Sequence, residues 1–158
     1  MNDLKHSARA VQDALDRAGL RCRVVELPDS TRTARQAAEA IGCGLAQIAK
    51  SIVFRGVETD RAVLVIASGE NRVDEAAVAA HVGETVAKAS AAFVRDSTGF
   101  AIGGVPPCGH SGELQIFIDR DLLRLSELWA AAGTPNAVFP LTPDQLLQLT
   151  GGEIIDIG

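Results

Sequence analysis

The chain has 158 residues, enough for one domain with its own apolar core and too few for two ordinary ones. Its 15 Lys and Arg against 20 Asp and Glu leave a net charge of −5, which excludes a protein that coats nucleic acid through its overall field but leaves room for a local basic pocket that takes one end of an RNA. Five Phe, one Trp and no Tyr make a poor base-stacking platform, and no apolar run reaches ~18 residues, so a membrane-spanning helix is excluded too.

The N-terminal stretch Met1–His6 lacks the apolar centre of a signal peptide, so the cytoplasm is the expected compartment. Leu4, Ala8, Val11, Leu15 and Ala18 then mark one helical face, and a first helix is predicted from about Ser7 to Ala18, stopped by Gly19. Cys22 to Leu27 reads as a strand. Thr33-Ala34-Arg35-Gln36 is a capping-box pattern that opens a second helix, ending near Gly42. Leu45 to Ala49 reads as one short helical turn. Two apolar runs, Ser51–Phe54 and Ala62–Ala67, flank Gly56-Val57-Glu58-Thr59-Asp60 and predict a hairpin. Asp74 caps a third helix to about Val82, Thr85–Ala89 reads as a short strand, and Ser90 caps a helix to about Asp96. A long Gly/Pro loop, Gly99 to His110, precedes a strand at Leu114–Ile118. Leu128–Ala132 and Ala137–Leu141 form a second hairpin around Gly133-Thr134-Pro135-Asn136. Thr142-Pro143 opens the last helix, and Glu153–Ile157 is a final strand. Helices and hairpins mixed without strict β-α-β alternation imply a single α/β domain over residues 1–158, with a mixed, curved sheet flanked by helices.

The sequence carries no Walker A loop, no H-E-x-x-H and no G-x-S-x-G, and its three cysteines (Cys22, Cys43, Cys108) show no metal or disulfide spacing. Only three of the 15 basic residues are Lys. One of them, Lys50, stands at the head of the apolar run Ser51-Ile52-Val53-Phe54 with no acidic residue within six positions. Such a lysine either snorkels at a sheet edge or waits, half-buried, for an anion or a carbonyl oxygen. In the loop, Gly103-Gly104 allows close backbone approach, and Pro106-Pro107 stiffens the chain. The N–H groups left over suit a carbonyl oxygen, while the plainer reading is a surface turn. Cys108 and His110 raise a thiol-hydrolase reading that lacks an orienting acid. Arg72, in Ser68-Gly69-Glu70-Asn71-Arg72, suits a phosphate or is a solvated loop charge.

Together, Thr33–Ala38, Gln47–Phe54, Ser68–Asp74, Thr98–His110 and Thr142–Leu147 resemble, in order and spacing, the YbaK/prolyl-tRNA synthetase editing-domain family, the INS-like aminoacyl-tRNA deacylases. The lysine-strand and the Gly103–Pro107 loop carry most of the specificity. The resemblance implies a barrel-like mixed sheet wrapped by helices. It also implies a free-standing enzyme that hydrolyses amino acids wrongly attached to tRNA, probing only the acceptor end, with the substrate's own ribose hydroxyl helping to activate water. Neither metal nor other cofactor is implied. Lys50, Gly103 and Gly104 are the implied catalytic positions. Thr33, Ser68, Arg72, Val105, Pro107, His110, Thr134 and Asn136 are the implied substrate-binding ones. An aminoacyl-tRNA synthetase is an allowed partner; DNA and membranes are not expected. Some relatives place a carboxylate in the hairpin before the last helix; here Gly133–Phe139 holds none. A small amino acid is the expected cargo, with tRNA-Pro among the candidate carriers. The alternative from another class is a tRNA- or synthetase-binding module without turnover.

Overall fold

A computed structural model describes residues 5–158; Leu4, the first residue of the predicted helical face, lies outside them. Helix α1 (His6–Arg17) turns Ala8, Val11, Ala14 and Leu15 inward. Strand β1 (Val25–Glu26) is shorter than the predicted Cys22–Leu27. The reason is the buried Gln12 side chain, which takes the Val24 N–H at 2.8 Å and donates to the Cys22 carbonyl at 3.1 Å, replacing a strand partner. Helix α2 (Ala34–Ile41) carries the expected capping box between Thr33 and Gln36. The predicted turn at Leu45–Ala49 is a 3-10 turn over Leu45–Gln47 only, because Ile48 and Ala49 already belong to β2 (Ile48–Gly56). Next along the chain are β3 (Ala62–Ser68), α3 (Glu75–Val82), β4 (Val86–Lys88), α4 (Ala91–Thr98) and β5 (Gln115–Asp119). A 3-10 turn at Arg120–Arg124, which no local sequence pattern announces, leads to β6 (Leu128–Ala131), β7 (Ala137–Leu141), α5 (Pro143–Thr150) and β8 (Glu153–Ile155).

The eight strands form one mixed sheet in the order β1-β7-β6-β2-β3-β5-β8, with β4 also on β2. β1 and β8 are the two ends of that path and do not pair, so the sheet stays open and is not a closed barrel. β3 is buried from Val63 to Ser68. Leu64 and Ile66 face a core with α1, Phe139 and Ile118, and Val63, Val65 and Ala67 face a second core with Phe54, Phe117 and α3.

One feature of the sheet creates the site. β6 and β4 share the same edge of β2, but β6 pairs only with Ile48–Ala49 and β4 only with Phe54–Gly56. β3 occupies the other edge throughout. Between the two ladders, Lys50–Ile52 has no strand beside it on that edge among the described residues, and a cleft opens there.

Candidate active site

The cleft measures about 600 Å³, within the range of small-molecule sites. Its floor is β2 from Ile48 to Phe54. Ala34, Ala37 and Ile41 of α2, Trp129–Ala131 of β6, Lys88 and Ala89, and Ile102, Gly103 and Val105 of the long loop form its walls. Among the described residues its charged side chains are Arg32, Lys50, Arg72 and Lys88 against one carboxylate, Glu75, a strongly basic patch on a chain of net charge −5.

Lys50 is half-buried on β2, and its Nζ donates to the Asn71 carbonyl oxygen at 2.6 Å. Burial pushes its pKa down, Asp119 opposes this, and Lys88 adds to the lowering. Asn71 is held in turn: its Nδ2 donates to Asp119 Oδ2 at 2.9 Å and to Asp121 Oδ2 at 2.8 Å. Neither aspartate was legible as a site residue, because both lie about fifty positions beyond Asn71 and reach Lys50 only through it.

The loop is no surface turn. Gly104, Val105, Pro106, Pro107 and Cys108 are buried, and Val105 and Cys108 join the core on the α1 side. The Gly104 N–H is spent on the Ala101 carbonyl, whereas those of Gly103 and Val105 find no acceptor among the described residues. The His110 Nε2–H donates to the Pro106 carbonyl at 2.7 Å and braces the loop from behind. Burial pushes Cys108 up to about 12 and His110 down, so neither the thiolate nor the imidazolium is favoured. Ser51, beside Lys50, has a buried Oγ without a hydrogen-bond partner among the described residues.

A profile of the family described as "Aminoacyl-tRNA editing domain" matches residues 28–149, well over half the chain. The chain belongs to the aminoacyl-tRNA editing domain family. A curated relative, uncharacterized protein YwhH of Bacillus subtilis (strain 168), is 35% identical over 135 residues, 85% of each chain. A solved structure described as a "putative trans-editing enzyme for prolyl tRNA synthetase" is 49% identical, covers 98% of both chains and superposes with a TM-score of 0.92. Another, described as hypothetical protein APE2540, is 26% identical over 94% of this chain and 98% of that one, with a TM-score of 0.87.

Within this editing domain, the structure gathers some of the expected site residues and separates others. Lys50, Gly103, Thr33, Arg72 and Val105 line the cleft. Gly104, Ser68, Pro107, His110, Thr134 and Asn136 do not. Gly104 faces the β6–β7 turn: a Cβ there would lie 3.0 Å from the Gly133 carbonyl carbon and the Thr134 nitrogen. The Ser68 hydroxyl donates to the Ala46 carbonyl at 2.8 Å, and its N–H to Asp119. Thr134 Oγ1 bonds Asn136 Oδ1, and Asn136 Nδ2 donates to the Leu27 carbonyl at 2.8 Å, which ties the β6–β7 turn to the segment leading into the cleft wall. Pro107 is buried within the loop, away from the cleft lining. These six brace the cleft from outside it. Conversely, Trp129, Ala130 and Ala131 line the cleft, while Ala132 is core. Among the described residues, no group of three or more His, Cys, Asp or Glu is arranged to hold a metal, and no helix is long and apolar enough to cross a membrane.

Proposed function

We propose that the protein hydrolyses the ester of mischarged aminoacyl-tRNA, with the acceptor end of the tRNA seated in the Lys50 cleft. The observation that carries this reading is the Lys50 ammonium, half-buried in a basic cleft beside the Gly103–Val105 loop, with one carbonyl oxygen as its hydrogen-bond partner. The ester is already activated, so the protein needs no strong nucleophile. Its task is to hold the ester and to stabilise charge on the carbonyl oxygen. In this reading Lys50 draws in the ester carbonyl or the terminal phosphate, and the N–H groups of Gly103 and Val105, which have no acceptor among the described residues, take the carbonyl oxygen as it becomes an oxyanion. Arg32, Arg72 and Lys88 meet the phosphates of the acceptor strand. The neighbouring ribose hydroxyl of the terminal nucleotide assists the attacking water. A basic rim on an acidic protein fits a partner of which one end alone is bound.

Action in trans is supported by the 49% identity to the structure described as a "putative trans-editing enzyme for prolyl tRNA synthetase", which makes tRNA-Pro the first carrier to test. Glu75 is the one carboxylate in the cleft among the described residues and the candidate partner for the substrate's α-amino group. The walls of Ala34, Ala37, Ala49, Ala130 and Ala131 are smooth and apolar, which suits a small aliphatic side chain in preference to a charged one.

The test is a deacylation panel. Purified protein is incubated with tRNA-Pro and other tRNAs carrying alanine, serine, threonine or cysteine, with spontaneous ester loss as the baseline. Hydrolysis above baseline for at least one mischarged tRNA is expected. Saturable binding with no hydrolysis across the panel would replace the enzyme by a binding module.

A further inference from the structure

Asp119 is the last residue of β5 and is only 2% exposed. Its two oxygens accept three hydrogen bonds, from the Ser68 N–H at 3.0 Å, Asn71 Nδ2 at 2.9 Å and the Asp121 N–H at 3.0 Å. All three partners are donors, so the group is satisfied as a carboxylate and would be mismatched as a neutral acid or amide. Ser68 ends β3, the strand between β5 and β2, so Asp119 closes the end of the β3–β5 pair just where the chain leaves β3 for the Asn71 turn. The Asn71 amide spends its NH2 on two carboxylates, Asp119 and Asp121, and the Asn71 backbone carbonyl takes the Lys50 ammonium. A buried anion thus reaches the cleft cation through one asparagine.

We infer that Asp119 is the positioning residue for Lys50: its carboxylate fixes the Asn71 turn, and the turn's carbonyl aims the ammonium into the cleft. The inference rests on Lys50 being the working cation of the site proposed above. The charged groups around Lys50 are Asp119 on β5, Asp121 on the following 3-10 turn, Lys88 on β4, Arg72 and Glu75 on the β3–α3 connection and the start of α3, and Arg32 before α2. Burial and Lys88 favour the neutral amine of Lys50, and the Asp119 charge opposes them in favour of the ammonium. Removing the Asp119 charge therefore both loosens the tether and lets the amine lose its proton at lower pH.

The experiment uses the whole chain labelled with 13Cε-lysine. Its three lysines give three signals, assigned with Lys50→Ala and Lys88→Arg variants, and Lys5 serves as the internal reference. Each signal is titrated through alkaline pH in the wild type, Asp119→Asn and Asn71→Ala, with circular dichroism to confirm folding. The Lys50 midpoint is expected to fall in Asp119→Asn, and to fall less in Asn71→Ala, where the charge remains and only the tether is cut. Single-turnover deacylation is expected to drop about tenfold in Asp119→Asn, with its alkaline limb moved to lower pH. If Asp119→Asn does not fold, Asn71→Ala decides, because it removes a part-buried side chain and keeps the backbone carbonyl. An unchanged Lys50 midpoint in the folded variant overturns the inference and leaves Asp119 a purely structural residue. A lowered midpoint upholds it even where no tRNA is hydrolysed, in which case it is the deacylase reading that fails.

Discussion

Gly133 and Gly104 meet backbone to backbone: the Gly133 N–H donates to the Gly104 carbonyl at 2.8 Å, and a Cβ on Gly104 would stand 3.0 Å from the Gly133 carbonyl carbon. The contact welds the long loop to the β6–β7 turn. Gly104→Val is therefore expected to destabilise the fold by about 2–3 kcal/mol, because backbone cannot give way as a side chain can. Gly103 differs. Its φ is +94°, and a Cβ there meets the exposed Arg32 side chain at its Cγ, so Arg32 must change rotamer while no backbone has to move. Gly103→Ala should cost about 1 kcal/mol in backbone strain and act mainly on turnover. Urea denaturation beside single-turnover deacylation separates the two. Wild-type stability in Gly104→Val would show that the loop is not anchored by the turn.

The elements were legible where the sequence writes its own punctuation. Thr33 with Gln36, Asp74, Ser90 and Thr142 cap the helices they were expected to cap, and Gly42, Gly83 and Gly99 end the second, third and fourth in the left-handed conformation. What failed to read were features settled by distant partners. Gln12 satisfies the backbone of Cys22 and Val24, and no local pattern announces a side chain standing in for a strand. Ile48 and Ala49 look helical in isolation and become strand because β6 lies beside them. Lys50 stood out as a lone lysine at the head of an apolar run. Asn71, Asp119 and Asp121 did not, since the hydrogen bonds that join them to Lys50, Ser68 and one another across the fold span 21 to 51 positions of chain. Thr134 and Asn136 sit in a segment that matches the family, yet the side chains turn to Leu27 and to each other and not to the cleft.

Cys108 is expected to be dispensable. It is 8% exposed, packs with the loop into the core, and burial holds its thiol at about 12, so almost none is thiolate at neutral pH. Cys108→Ala should keep most of the deacylase rate and lose about 1 kcal/mol of stability through lost packing. A fall in single-turnover rate beyond about 100-fold in the folded variant would restore the thiol to the chemistry.

His110 gives the protein an acid-side weakness. Desolvation lowers its pKa from 6.5, partly offset by the bond to Pro106. A group whose folded pKa is depressed leaves stability intact above the unfolded value and withdraws it as pH falls below 6.5 toward the folded value, since the unfolded chain then binds the proton first. Chemical denaturation at neutral pH and near pH 5 should therefore show a larger loss for the wild type than for His110→Gln, whose amide can still donate to Pro106 and carries no titratable ring. Equal losses in the two proteins would mean that the imidazole is solvated and not a brace.

Lys50 carries the sharpest expectation, because its charge affects stability and turnover in opposite directions. Burial holds its pKa below 10.5, so the folded protein keeps that proton less firmly than the unfolded chain does. The charged side chain therefore costs stability at neutral pH, and the cost fades as pH rises past the folded value toward 10.5, where both states are losing the proton. Lys50→Met keeps the aliphatic stem and removes the charge. It also leaves the Asn71 carbonyl without its partner, a penalty that does not vary with pH. The difference in stability between Lys50→Met and the wild type should thus shift in favour of the wild type between neutral pH and 10.5, whatever its absolute value. Turnover should move the other way: loss of one preorganised charge is expected to slow single-turnover deacylation by about 10²–10³-fold. Lys50→Arg should not restore the rate, because a planar guanidinium cannot sit on the Asn71 carbonyl and present a compact charge to the cleft at once. Thermal or urea melts across that pH range, run beside deacylation of the most reactive mischarged tRNA, measure both arms. A stability difference that does not change with pH would mean Lys50 is fully solvated. Wild-type rates in Lys50→Met would remove it from the reaction.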